Sequence, residues 1–122
     1  MTAALRAPAL DTWAAPDGDP GVVVIRTAEL TAKCPLNGRR DFYTLEVRYQ
    51  PRELIVESKS LRDYLDGYED EKVGVEALAA KIRDDLAAVL NPIAATVELA
   101  QNVRGGLAFT AEAHLGGGAP RG

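Results

Sequence analysis

The chain has 122 residues, of which 47% are hydrophobic, 26% charged and 6% aromatic, a composition typical of one small globular domain. Its formal net charge is −4, and no block of lysine and arginine is long enough to follow a phosphate backbone, which argues against direct binding of nucleic acid. The single cysteine, Cys34, excludes an internal disulfide. No stretch approaches the ~18 apolar residues that cross a membrane, and no basic and apolar leader is present, so we expect a cytoplasmic protein.

The two ends of the chain differ from its centre. Residues 1–20 are rich in proline, glycine and aspartate without periodicity, which predicts a flexible N-terminal arm. Residues 116–122, with the sequence GGGAPRG, predict a disordered tail. Residues 21–115 then form one domain. Because so small a domain hides a limited share of its surface, we expect a homo-oligomer.

The first half of the domain predicts two strands and a short helix. Residues 21–27, GVVVIRT, are rich in β-branched side chains and predict a strand. Residues 41–49 alternate between apolar and polar and predict a half-buried strand. Residues 61–68 place leucine and tyrosine on one helical face, and Ser60 can cap this helix together with Asp63 three positions on.

The second half predicts a long helix and a hairpin. Residues 75–90 carry the strongest helical periodicity. Residues 96–101 and 107–115 predict strands joined by a turn at 102–106. The order ββααββ predicts an α+β fold in which both helices cover one face of an antiparallel sheet. Because the outer strands are unpaired, we expect several copies to join edge to edge into an oligomeric barrel, with candidate sites in the clefts between subunits.

The segment around Cys34, KCPLNGRRDF, carries the first candidate chemistry. Its Pro/Gly turn can bring the thiol of Cys34 to the carboxyl of Asp41, which could hold or deliver a proton. The thiolate, which is the nucleophilic form, would be favoured by three basic neighbours: Lys33, Arg39 and Arg40. The alternative is an inert core cysteine, although a polar turn is an unusual place for one.

Three other features are candidates for binding. Residues 56–64, VESKSLRDY, lead from a strand into a helix, where free backbone amides together with Lys59 and Arg62 could hold a phosphate. The alternative is a capped, solvated helix. Glu76 lies in the first turn of the long helix, where the helix dipole alone favours a carboxylate. His114 is the only histidine, and with one cysteine it leaves too few ligands for a structural zinc site.

Taken together, these segments resemble the NADPH-dependent 7-cyano-7-deazaguanine (preQ0) nitrile reductases of the single-module type. The family's Cys-Pro-x-x-Gly-x-x-Asp-Phe stretch is matched by Cys34, Pro35, Gly38, Asp41 and Phe42. Its Glu-Ser-Lys-Ser-apolar-Lys signature appears as ESKSLR, directly after the second strand. The likeness extends over roughly residues 22–114. Two motifs in the right order and at a compatible spacing are far more specific than either alone.

The resemblance implies a tunnelling fold (T-fold) and an enzyme of queuosine biosynthesis, a tRNA modification pathway. Cys34 would add to the nitrile carbon of preQ0 to form a covalent thioimide, and Asp41 would give a proton to the nitrogen. Two hydride transfers from NADPH would then yield 7-aminomethyl-7-deazaguanine (preQ1). Two stacked rings of five subunits are implied, and no Rossmann fingerprint is present to bind the cofactor in the usual way.

The resemblance also implies which residues hold the ligands. A carboxylate aligned with Glu76 accepts hydrogen bonds from the guanine-like edge of the substrate. The substrate site would comprise Val56, Glu57, Ser58, Val75 and Glu76. The residues implied for NADPH are Lys59, Ser60 and Arg62, and no metal is expected.

Departures from the family pattern leave other functions open. Arg62 replaces the usual lysine, Asp63 an apolar residue, and Val75 a histidine. An amidinotransferase-like or otherwise diverged relative would form the same thioimide but pass it to ammonia or an amine, although the retained ESKS signature argues against it. A non-catalytic purine-binding oligomer would keep Glu76 as a base contact. A hydrolase of the same fold, as in GTP cyclohydrolase I, would need a zinc site that this chain cannot build.

Overall fold

The computed structural model describes residues 9–19 and 21–118. Within these residues the chain forms six strands and two helices, which is an α+β arrangement. The elements are β1 (Thr12–Ala14), β2 (Val23–Lys33), β3 (Arg40–Gln50), β4 (Leu54–Val56), α1 (Ser58–Asp66), α2 (Val75–Leu90), β5 (Ala94–Arg104) and β6 (Leu107–Leu115).

The main sheet has four antiparallel strands in the order β2-β3-β5-β6. Val47 of β3 lies opposite Ile25 of β2 on one side and opposite Val97 of β5 on the other. The turn from β5 to β6 contains Gly105 and Gly106, both with positive φ, the conformation that a tight hairpin requires. The predicted antiparallel sheet and the order of its elements are confirmed.

One face of the sheet carries the core. Alternate residues of β3 point toward the helices, as the pleat of a strand requires, and the apolar ones from Tyr43 to Tyr49 are at most 1% exposed. Residues of both helices belong to the same buried cluster, so α1 and α2 cover one face, as predicted. The largest buried side chains are Tyr43, Leu45, Val47, Tyr49, Leu78, Ile82, Leu90, Val97 and Leu99.

Strand β2 is longer than the sequence predicted. It continues beyond Thr27 to Lys33, and its pairing with β3 shifts register between Thr27 and Leu30. Such a bulge breaks the alternation of side chains along a strand. The apolar pattern therefore ends at Thr27 although the strand does not.

A two-stranded ribbon was not predicted. Residues 12–14 lie in the segment predicted as a flexible arm, but they form β1 and pair with β4, with Trp13 opposite Ile55. Three-residue strands carry no detectable periodicity, which is why neither was found. Residues 1–8 and 20 of the predicted arm lie outside the described residues.

The predicted tail is described only in part. Residues 119–122 lie outside the described residues. In the remainder, the Gly118 amide donates to the Leu115 carbonyl at 3.2 Å. Gly116 has φ +64°, and a Cβ there would lie 2.4 Å from the Ile93 carbonyl oxygen, so a side chain would not fit.

Across the described part of the chain, no helix has both the length and the apolar character needed to span a membrane.

Candidate functional site

Cys34 directly follows β2 and opens the turn that leads to β3. Its amide donates to the Arg39 carbonyl at 2.7 Å, and its carbonyl accepts from the Gly38 amide at 2.9 Å. Asp41 lies opposite Ala32, two residues before Cys34, so the alternation of side chains directs Cys34 and Asp41 to the same face of the ribbon. The turn therefore brings the thiol and the carboxyl to one end of the sheet.

The two side chains differ in exposure. Asp41 is 4% exposed and lies on the face that the helices cover. Cys34 is half-buried and is not in a disulfide. A thiol that is partly open can be reached by a small molecule, whereas a cysteine sealed in the core cannot. The geometry is therefore compatible with a nucleophile.

The loop between α1 and α2 lies against the Cys34 turn. The Lys33 amide donates to the Glu71 carbonyl at 2.8 Å, and the Val73 amide donates to the Lys33 carbonyl at 3.0 Å. These bonds form a short parallel bridge between Lys33 and Lys72. Because α2 begins at Val75, two residues after Val73, the bridge places the start of α2 near the end of β2 that precedes Cys34.

Two of the basic residues near Cys34 contact this loop. Lys33 Nζ lies 3.1 Å from Asp70 Oδ1, and Arg40 Nη2 lies 3.7 Å from the same oxygen. Their charges were predicted to favour the thiolate of Cys34. Asp70 balances part of that charge, which sequence spacing alone could not reveal because Asp70 is distant in the chain.

The two residues predicted at the start of α2 have different environments. Val75 is 4% exposed and packs in the core. Glu76 is exposed on the first turn, and a Cβ built on Gly74 would lie 3.7 Å from Glu76 Oε1. The carboxylate is thus turned back toward the start of the helix. Of this pair, only Glu76 presents its side chain to solvent.

The start of α1 is capped by Glu57. One carboxylate oxygen accepts from the Lys59 amide at 2.6 Å and the other from the Ser60 amide at 2.7 Å. The Lys59 amide, followed by the Ser60 amide, lowers the pKa of Glu57 below its ordinary value. The prediction that Ser60 and Asp63 cap this helix was wrong, because a carboxylate one turn earlier is the stronger acceptor.

The backbone amides of Lys59 and Ser60, which were expected to hold a phosphate, therefore already donate to the Glu57 carboxylate. The Ser60 hydroxyl donates to the Glu57 carbonyl at 3.0 Å and accepts from the Asp11 amide at 2.9 Å. The Glu57 amide in turn donates to the Asp11 carbonyl at 2.9 Å. Ser60 is 8% exposed, so its hydroxyl joins the N-terminal segment to α1.

A cleft of about 760 Å³ lies between β2 and α1, which is within the usual range for small-molecule sites. Three residues predicted to bind ligands line it: Val56, Ser58 and Arg62. The sequence did not identify the remaining lining residues, several of which border the bulge in β2. They are Val23, Ile25, Arg26, Thr27, Glu29, Leu30, Leu61, Leu65 and Asp66.

Two basic and two acidic side chains line the cleft: Arg26, Arg62, Glu29 and Asp66. No ion pair of Arg62 occurs among residues 9–19 and 21–118, and the side chain lines the cleft. Lys59 pairs with Asp63 at 3.1 Å, but the two side chains are 82% and 64% exposed. So exposed a pair contributes little to stability. The cationic side chains of Lys59 and Arg62 are therefore both open to solvent at the start of α1.

The predicted residues fall into two groups within one chain. Leu30 lines the cleft and precedes Cys34 by four residues of extended chain. That separation corresponds to about 13 Å. Cys34, Asp41 and Glu76 therefore lie at one end of β2, and the cleft lies further along the same strand.

A family model described as QueF-like protein matches residues 40–117. The chain belongs to the QueF-like family. The matched segment contains Asp41, residues 57–62 and Glu76, and it begins six residues after Cys34.

Curated relatives of this QueF-like chain are named NADPH-dependent 7-cyano-7-deazaguanine reductase. The protein of Frankia casuarinae is 42% identical over 83 residues, which are 68% of this chain and 66% of that protein. That of Syntrophus aciditrophicus is 41% identical over 98 residues, 80% of this chain and 69% of that protein. That of Nitrosococcus oceani is 39% identical over 105 residues, 85% and 81% of the two chains. Because the match to the Nitrosococcus oceani protein spans 105 of the 122 residues of this chain, it includes Cys34.

A solved structure shares the fold of this QueF-like chain. The crystal structure of the archaeosine synthase QueF-Like in the apo form matches with a TM-score of 0.76. The match covers 84% of this chain and 100% of that chain, at 23% identity. At 23% identity the match is evidence for the fold alone, and it supports the predicted tunnelling fold for the single chain.

Proposed function

We propose that this chain reduces the nitrile group of 7-cyano-7-deazaguanine to the aminomethyl group of preQ1. The observation that carries the proposal is its identity of 39% to 42% with three reductases of that name. The protein is then an oxidoreductase, and NADPH, which each of those names contains, is its cofactor. The product belongs to queuosine biosynthesis, and the expected location is the cytoplasm.

Cys34 acts as the nucleophile in this proposal. Its thiolate adds to the nitrile carbon, while Asp41 gives a proton to the nitrogen, so that a neutral thioimide forms. The shared face of the two side chains and the partial exposure of Cys34 support these roles. Covalent capture holds the C=N group in place for the reduction, and the carbon–sulfur bond breaks later to release the thiolate.

Two NADPH molecules, bound one after the other, would each supply one of the two hydride ions that convert the nitrile into the amine. Arg62 and Lys59 hold the phosphates of NADPH, since both lie at the start of α1 and Arg62 lines the cleft. Ser60 supports this site by fixing the helix start to Asp11. The exchange of lysine for arginine at position 62 keeps the charge and adds donors.

Substrate recognition is assigned to Glu76 and to the end of β4. The exposed Glu76 carboxylate accepts hydrogen bonds from paired N–H groups of the guanine-like edge, a strong and specific contact. Val56, Glu57 and Ser58 offer the chain segment that borders the cleft, and Val75 contributes by packing the start of α2 into the core.

The working assembly that we propose is the predicted decamer of two five-membered rings. Strands β2 and β6 are the outer strands of the described sheet, and outer strands pair readily with a further strand. Joining copies through these edges would cover the cleft along β2 with a neighbouring subunit. In a single chain the residues around Cys34 and the residues that line the cleft lie about 13 Å apart, and a neighbouring subunit would complete the site between them.

NADPH oxidation on mixing with 7-cyano-7-deazaguanine tests the activity directly. We expect the cofactor absorbance to fall with the wild type, not at all with Cys34→Ala, and far more slowly with Asp41→Asn. The mass of the intact protein should increase by one substrate molecule when NADPH is omitted. Since Cys34 is the only cysteine, no other thiol can replace it.

Other outcomes separate the alternatives. An adduct that forms without NADPH oxidation and is released by ammonia would identify an amidinotransferase. Binding of the substrate without an adduct would identify a non-catalytic purine-binding oligomer. An adduct that persists in Cys34→Ala would contradict the mechanism.

A further inference from the structure

Arg40 lies between the turn that carries Cys34 and the loop that precedes α2. Its Nη1 atom donates to the Thr31 hydroxyl at 2.9 Å and to the Glu69 carbonyl at 2.7 Å. Its Nη2 atom lies 3.7 Å from Asp70 Oδ1. One guanidinium group therefore joins β2 to two successive residues of the loop.

These contacts are not equal in strength. Asp70 is 74% exposed, so its ion pair with Arg40 is weakened by solvent. The short bond to the Glu69 carbonyl has a charged donor and is the stronger contact. A lysine could not make all of these contacts, because it is a point charge on a flexible stem and lacks the planar array of donors.

The loop is held to the Cys34 turn at two adjacent places. The backbone bridge to Lys33 holds residues 71–73, and Arg40 holds residues 69–70. Glu76 follows three residues after the bridge, on the first turn of α2. The position of Glu76 relative to Cys34 therefore depends on how firmly the loop is held.

We propose that Arg40 is a positioning residue for the addition of the nitrile to Cys34. It fixes the loop, and through the loop it sets the position of the carboxylate that recognises the substrate. This role rests on the proposed function, and it differs from a general electrostatic effect on the thiol. Arg39 provides the matched comparison, because it is in the same turn and its side chain has no hydrogen bond or ion pair among the described residues.

Two reactions of Cys34 distinguish positioning from local damage. Adduct formation with 7-cyano-7-deazaguanine requires recognition by Glu76, whereas alkylation by iodoacetamide requires only a reactive thiol. We expect Arg40→Gln to slow nitrile addition roughly 10- to 100-fold, since a small misplacement of reacting groups has effects of that size. Both reactions are compared at a pH where the thiol of Cys34 is fully ionised, so that the lost positive charge does not change the amount of thiolate. Under these conditions the alkylation rate of Arg40→Gln should be unchanged. Arg40→Lys should recover part of the loss in nitrile addition, and Arg39→Gln should match the wild type in both reactions.

Three results would overturn the proposal. Equal losses in Arg40→Gln and Arg39→Gln would show an effect of charge alone. A parallel loss of alkylation would show that the turn itself is disturbed, and nitrile addition at the wild-type rate would show that Arg40 is not needed.

Hydrogen exchange separates a failure of this proposal from a failure of the proposed function. If the wild type forms no adduct, the function is wrong, and the Val73 amide then reports on the loop, because it donates to Lys33. Faster exchange at Val73 in Arg40→Gln than in Arg39→Gln would support the role of Arg40 in fixing the loop. Equal exchange in the two variants would overturn it.

Discussion

The α1–α2 pair is held at two places that differ in burial. Between the helices lies a tyrosine–aspartate network, formed by Tyr64, Tyr68, Lys81 and Asp85. At the end of the sheet lies the loop tie, in which Lys33 and Arg40 contact Asp70. The side chain of Asp85, at the centre of the network, is 9% exposed, whereas the side chain of Asp70 is 74% exposed.

In the network, one buried carboxylate is fully partnered. Tyr64 donates to one oxygen of Asp85 at 2.5 Å, and Lys81 Nζ lies 2.6 Å from the other. The Tyr64 and Tyr68 hydroxyls lie 2.7 Å apart, and the two rings pack edge to face. Because its partners have little access to water, removal of Asp85 would leave several polar groups unsatisfied.

The comparison indicates that stability and function depend on different polar clusters. Breaking a buried charge network removes stability, because water cannot replace the lost partners. Breaking an exposed tie removes little stability, because water solvates the separated groups. The loop tie lies beside the proposed nucleophile, so its effect should appear in the reaction rather than in the free energy of unfolding.

The largest effect on stability is expected from Asp85→Ala. Removing one partner of a buried ion pair typically lowers the free energy of unfolding by about 3 kcal/mol. Urea denaturation of Asp85→Ala should show such a loss. The adjacent Asp84, whose pair with Arg83 is 65% exposed at the carboxylate, provides the control: Asp84→Ala should be close to the wild type. Equal losses in the two variants would contradict the importance of burial.

Alkaline pH should weaken the same network. Burial raises the pKa of Tyr64, and burial raises the pKa of Tyr68 to about 12, above the ordinary value of 10.0. Because the pKa of Tyr68 is raised in the folded state, the stability that the neutral tyrosine contributes is present below about pH 10 and is lost as pH rises toward pH 12. Urea midpoints measured across that interval should fall less in Tyr64→Phe than in the wild type. An equal fall would exclude this tyrosine as the cause.

The elements with strong local periodicity were predicted well. Helix α2 and strand β3 match the predicted ranges closely, because each buries one regular face. The Glu57 cap was missed because serine is a more usual N-cap residue than glutamate, so Ser60 was taken as the cap. The β1–β4 ribbon was missed because it pairs segments far apart in the chain, and the Ser60 hydroxyl accepts from the Asp11 amide across 49 positions. No local pattern encodes such contacts.

The site residues that lie close together in the sequence were predicted, and those brought together only by the fold were missed. The motifs identified Cys34 and Asp41, whose turn is local in sequence. Asp70 was not identified, because its contacts with Lys33 and Arg40 depend on the folded loop. Burial of Val75 in the core could not be distinguished from a place in a binding site by sequence position alone.

An exposed cap should have a smaller effect than the buried network. The pKa of Glu57 is lowered by the Lys59 and Ser60 amides, so its contribution is present above the ordinary value of 4.5 and is lost as pH falls through the folded value. We expect Glu57→Gln to be slightly less stable at neutral pH and to lose less stability on acidification. Urea midpoints at neutral and acidic pH test this, and identical acid sensitivity in both proteins would contradict it.

The smallest change in stability is expected from Asp70→Asn, with an effect on Cys34 instead. The free energy of unfolding should stay within about 0.5 kcal/mol of the wild type, as for other exposed ion pairs. Because Lys33 and Arg40 would no longer be balanced by a carboxylate, the thiolate should be favoured and alkylation of Cys34 should extend to lower pH.

Asp63→Asn is the control for Asp70→Asn, because it removes a similarly exposed charge that is paired with Lys59 on α1. It should change neither the free energy of unfolding nor the pH profile of alkylation. If Asp70→Asn destabilised the protein as much as Asp85→Ala, the loop tie would belong to the structural framework. An altered alkylation profile at unchanged stability would instead assign the charge of Asp70 to the environment of the nucleophile.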